Sequence, residues 1–61
     1  MSLPVLTVGM RVEVPVPRGA QGVVVKPTVT RRGWGATLFT EVKLDNGTIV
    51  WPRRVYVKVI P

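Results

Sequence analysis

Six prolines and six glycines are scattered along a chain of 61 residues, and the stretches between them are dominated by β-branched side chains. No apolar period near 3.6 residues survives this punctuation, so long helices are excluded and the chain reads as all-β. The clearest strand pattern is Gly9-Met-Arg-Val-Glu-Val-Pro-Val. Val12, Val14 and Val16 lie two apart and share one face, while Arg11 and Glu13 take the other, the period of a half-buried strand.

Turn chemistry orders the rest. Residues 10–16 form the first expected strand, with Pro15 and Pro17 placing its end at an edge or in a loop. Gly19 and Gly22 supply the positive φ or the close backbone approach that the following reversal needs. A second strand runs from about Gln21 to Thr30, broken or bulged at Pro27. Thr30-Arg31-Arg32-Gly33-Trp34-Gly35 reads as an exposed tip loop. The third strand, residues 36–44, places Ala36, Leu38, Thr40, Val42 and Leu44 on one face and Phe39 on the other. Asn46-Gly47 fits a type I′ hairpin into a fourth strand at Thr48–Trp51. Trp51-Pro52-Arg53-Arg54 interrupts the last extended stretch, where one short helical turn fits before Val55, Val57 and Val59 resume alternation. The expected core is Val12, Val14, Val23 or Val24, Val25, Leu38, Val42, Leu44, Val50, Val55 and Val57.

A domain this short buries only about 60% of the surface that its unfolded chain exposes, which favours an oligomer or a partner. There is no cysteine and no histidine. Disulfide staples, thiolate metal sites, the commonest metal ligand and the usual neutral-pH general base are therefore all missing. The expected protein is neither an enzyme nor a metal or cofactor binder. Nine Lys and Arg against three acidic residues give a net charge of +6, an excess that attracts phosphate polymers or acidic proteins or serves solubility alone. No apolar run approaches the roughly 20 residues of a membrane span. The Met-Ser-Leu start lacks a long apolar stretch, which predicts a cytoplasmic protein.

Arg18, Gly19, Gly22, Val23 and Val25 resemble the KOW motif of transcription elongation factors and ribosomal proteins, in which a basic residue and glycine lead through two residues to a glycine and an apolar strand. Five short strands with a single helical turn before the last are similar to the SH3-like barrel shared by Tudor, KOW and related modules. The resemblance implies a five-stranded SH3-like β-barrel over residues 9–61, with residues 1–8 as an N-terminal arm or edge strand. The plasmid-borne type II dihydrofolate reductases look similar in length, in the Gly9-Met10 pair and in the Gly47-Thr48 hairpin. Their Val-Gln-Ile-Tyr segment corresponds here to Ile49-Val50-Trp51-Pro52, without the glutamine or the tyrosine, so the residues that carry that activity are absent. A Tudor-type cage needs three or four rings around a cation, and no such set is assignable among four aromatics.

Function must then be argued from the surface. Arg31 and Arg32 lie beside Trp34, Arg53 and Arg54 lie beside Trp51, and Arg18 occupies the first turn. Guanidinium groups grip phosphates bidentately and an indole offers a stacking surface, the combination used on RNA and single strands. Arg18, Lys26, Arg31, Arg32, Arg53 and Arg54 are the expected phosphate contacts, with Trp34 and Tyr56 stacking and Phe39 as a further candidate. Against this stand solvated turn arginines, a Trp34 folded over the barrel end, and a Trp51 that fills the core or a subunit contact. Alternation places Phe39 and Tyr56 outside, where they stack bases, clasp a peptide or meet in a homo-oligomer, unless bulges at Pro27 and Pro52 turn them inward. The expected function is non-catalytic nucleic-acid binding, DNA or RNA. The alternatives are a module docking an acidic protein partner and a structural homo-oligomer.

Overall fold

The computed structural model describes residues 5–30, 33, 35 and 37–60. It is all-β: β1 (Arg11–Val14), β2 (Ala20–Val29), β3 (Phe39–Leu44), β4 (Ile49–Val50) and β5 (Lys58–Val59), with one 3-10 turn at Arg54–Tyr56. All pairings are antiparallel and form one sheet in the order β4-β3-β2-β1-β5.

The expected closure into a barrel does not occur. β4 and β5 are the two edges of the sheet and are not paired with each other. Both are only two residues long, and Pro52 with the 3-10 turn ends β4 before it can extend towards β5. The expected strands at 10–16, 36–44 and 48–51 are correspondingly shorter. β2 is the central strand, and its ladder with β3 shifts register twice around Lys26 and Pro27, as a proline without an N–H requires.

The two glycines after β1 divide the expected roles. Gly19 takes the left-handed conformation, with φ 78°, and closes the loop into β2. Gly22 has no positive φ but is buried in β2 between Val12 and Leu44, where a Cβ would lie 2.8 Å from Leu44 Cα.

The β3–β4 hairpin forms at the expected place with a different loop. The Gly47 N–H donates to Leu44 O (2.8 Å) and the Leu44 N–H to Thr48 O (2.8 Å), leaving Asp45, Asn46 and Gly47 as a three-residue loop. Gly47 alone is left-handed, at φ 91°, whereas a type I′ turn would need a second positive φ at Asn46. The Asn46 side chain instead accepts the Thr48 N–H at 2.9 Å. Ile49 therefore pairs with Lys43 and Val50 with Val42.

The core is a cluster of Leu6, Val12, Val14, Val24, Val42, Leu44 and Val57, with Met10, Ala20, Val50 and Val59 packed against it. Leu6 belongs to a segment that forms no strand but enters the core. Four expected positions change. Val25, next to the bulge between Val24 and Lys26, is only half-buried and lies outside the cluster. Leu38 lies before β3 and is 38% exposed, and Val55, inside the 3-10 turn, is 60% exposed. Phe39 is buried at 8% rather than facing out, because it sits between Val29 of β2 and a bridge to Arg53. Thr40 is wholly buried beside it, its hydroxyl satisfied by donating to Pro27 O at 3.0 Å.

An outer clamp crosses the sheet. Arg11 on β1 grips Asp45 in the hairpin loop through both guanidinium nitrogens, at 2.7 and 3.1 Å, and also reaches Gln21 on β2 at 3.3 Å. The hydrogen bond from Arg11 lowers the Asp45 pKa, and the bond to Asp45 with its charge raises that of Arg11.

Two outcomes follow. Leu44→Ala should cost about 2–5 kcal/mol, whereas Leu38→Ala, at a position only partly covered, should cost about 1 kcal/mol, measured by urea unfolding. Asp45 stabilises the fold while ionised, so that contribution is present above the ordinary carboxyl range near about pH 4 and is lost as pH falls through its lowered value. Asp45→Asn should flatten that acid limb of the stability–pH curve, and high salt should diminish the difference because the pair is exposed.

Candidate functional site

Three segments distant in sequence meet beside β4. Val50 packs inward against the core, so its neighbour Trp51 faces the opposite side and is 42% exposed. Pro52 and Arg53 are then held along the start of β3: the Thr40 N–H donates to Pro52 O (3.0 Å) and the Arg54 N–H to Leu38 O (2.9 Å). The 3-10 turn closes through Tyr56 N–H to Arg53 O (2.9 Å) and Val57 N–H to Arg54 O (3.2 Å). With Val57 anchored in the core, the preceding Tyr56 projects outward at 59% exposure.

These residues and the β1–β2 loop enclose an open groove of about 470 Å3. It is lined by Pro15 and Val16 of the β1–β2 loop, by Ile49 and Val50 of β4, and by Trp51, Pro52, Arg53 and Tyr56. A second cleft, of about 370 Å3, shares Pro15 and Tyr56 with the groove and adds Glu13, Arg18, Gly19 and Lys58. Tyr56 thus stands between an apolar, tryptophan-lined groove and a cleft bearing two cationic side chains and one carboxylate.

The indole is oriented by β3. The Trp51 Nε1–H donates to Glu41 Oε1 at 2.9 Å. This bond is a consequence of hairpin register: Val42 faces Val50 and the ladder continues to the Phe39–Arg53 bridge, which sets Glu41 opposite Trp51. Lys26 of β2 is in turn paired with Glu41.

The expected phosphate and stacking residues divide accordingly. Arg18, Arg53 and Tyr56 are gathered at the groove and cleft. Lys26 is exposed on β2, and Arg54 is half-buried in the 3-10 turn. Arg31, Arg32 and Trp34 lie outside the described residues. Phe39 is buried within the chain, so it is neither a stacking ring nor an intersubunit one. Lys58, Pro15 and Val16 were not expected at a site. They join it through strand order, which brings the β1–β2 loop beside the 3-10 turn, and no local motif marks them.

Among the described residues no group of His, Cys, Asp and Glu could hold a metal ion, and no helix is long and apolar enough to cross a membrane. No protein-family model matches the chain, and no curated protein or solved structure matches it at a significant level.

Glu41→Ala should release the indole and shift or broaden Trp51 fluorescence, while Glu41→Gln, which keeps an acceptor, should retain most of the native signal. The comparison is best made in a Trp34→Phe background, where Trp51 is the sole indole.

Proposed function

We propose that this protein is a non-catalytic nucleic-acid-binding module of the cytoplasm, of the SH3-like type that its turn glycines and strand spacing resemble. The observation that carries the reading is the exposure of Trp51 and Tyr56 in a groove with Arg53, adjoining a cleft that holds Arg18 and Lys58. Cationic side chains neutralise phosphates, and exposed rings offer the stacking surface that charge alone lacks. The net charge of +6 adds a long-range field that favours encounter with a polyanion. Arg31, Arg32 and Trp34, together with Lys26 and Arg54, are kept as further contacts on the strength of the sequence alone. Trp51 takes a stacking role, the one of three that sequence alone left open beside the core and a subunit contact.

The measurement is a titration with DNA and RNA oligonucleotides at several salt concentrations. If about four to six phosphates are neutralised, log affinity should fall against log salt with a slope of about −3 to −5. Replacing Arg18, Arg53 and Lys58 together by alanine should weaken binding to every sequence and flatten the slope by about 0.7–0.9 for each phosphate no longer neutralised. Replacing Arg31 and Arg32 should act in the same direction. Absence of binding at low salt by a protein shown to be folded would overturn the reading and put an acidic protein partner in its place.

A further inference from the structure

We infer that the Trp51–Tyr56 groove receives an unpaired base, which makes the ligand a single strand rather than a duplex. The inference rests on the nucleic-acid reading above and goes beyond it in assigning the two cavities separate parts. The groove is walled by proline and aliphatic side chains with two exposed rings, and the cationic residue that lines it is Arg53. Its volume of about 470 Å3 lies within the range of about 300–1,000 Å3 of small-molecule sites, which leaves ample room for a single base. A duplex presents phosphates and stacked edges and would leave such a surface unused, whereas an unstacked base presents an apolar π face to it.

Charge fixes the orientation. The one cation lining the groove, Arg53, stands near the Glu41 carboxylate that holds the Trp51 indole N–H, so the groove offers less net positive charge to a phosphate than its single guanidinium suggests. Arg18 and Lys58 stand in the adjoining cleft, opposed by the single carboxylate of Glu13. The backbone therefore runs over the Arg18 and Lys58 side, and the base crosses Tyr56, which borders both cavities, into the groove. An acidic peptide satisfies the cations equally but offers a planar group only where it carries an aromatic side chain, whereas every nucleotide carries one, so the aromatic lining favours the oligonucleotide.

The test uses the full chain carrying Trp34→Phe, so that emission reports Trp51. It is titrated with an eight-residue oligothymidylate, a duplex of the same length, an abasic oligomer with the same phosphates, and an acidic peptide of alternating aspartate and leucine. The expected result is quenching of Trp51 by the oligothymidylate, with the abasic oligomer and the duplex binding about 5- to 150-fold more weakly, the equivalent of one stacked base. Tyr56→Ala should remove that difference, leave abasic binding and the salt slope unchanged, and be rescued by Tyr56→Phe. Equal binding of all three nucleic acids with unchanged Trp51 emission would overturn the groove assignment while leaving nucleic-acid binding intact. Failure of all three to bind the folded protein would overturn both. Quenching by the acidic peptide but not by the oligothymidylate would assign the groove to a protein partner and overturn the inference.

Discussion

Gly47 is left-handed at φ 91°, and the three-residue loop that it closes determines which side chains of β3 and β4 face each other. A two-residue turn on Asn46 and Gly47 would slide β4 by one position against β3. Because strand side chains alternate with a period of two, such a slip would take Val50 off Val42 and remove Trp51 from Glu41. The observed register puts Val42 and Val50 towards the core and leaves the indole on the outer face with its N–H satisfied. One backbone conformation thus links the packing of β4 to the geometry of the groove.

The remainder of the sheet tolerates little slack. Its core consists of valines and two leucines, with Phe39 buried outside that cluster. Gly22 lets β2 approach β3 more closely than any side chain would allow. The exposed Arg11 fork to Asp45 and Gln21 spans β1, β2 and the hairpin loop without desolvating a charge, so it adds orientation at low cost. Among the acidic residues, Asp45 is engaged by Arg11 and Glu41 by the Trp51 indole. Around the groove and cleft the cations are Arg18, Arg53 and Lys58, opposed in the cleft by the third carboxylate, Glu13.

That surface is assembled from segments none of which would mark a site alone. Pro15 and Val16 leave β1 because two prolines cannot continue a central strand, and Tyr56 projects because Val57 is drawn into the core. The groove exists because β1 pairs with both β2 and β5, which carries the β1–β2 loop to the end of the sheet where the 3-10 turn lies.

The amino-acid order by itself left Phe39 and Tyr56 open between the two faces, but determined the all-β class, the positions of the reversals and the 3-10 interruption after Trp51. These depend on local dihedral preferences and on a two-residue period that is visible along one strand. Tertiary structure alone decided the hairpin register, the exchange of Leu38 for Phe39 in the interior, the entry of Leu6 into the core, the failure of the sheet to close, and the union of Arg18, Lys58 and Tyr56 at one cleft. Alternation says that two faces exist but not which neighbour covers them, and a ring such as Phe39 is buried by its partners in β2 and at Arg53 rather than by its own strand. Pairing between distant strands carries that information, and it has no period in the sequence.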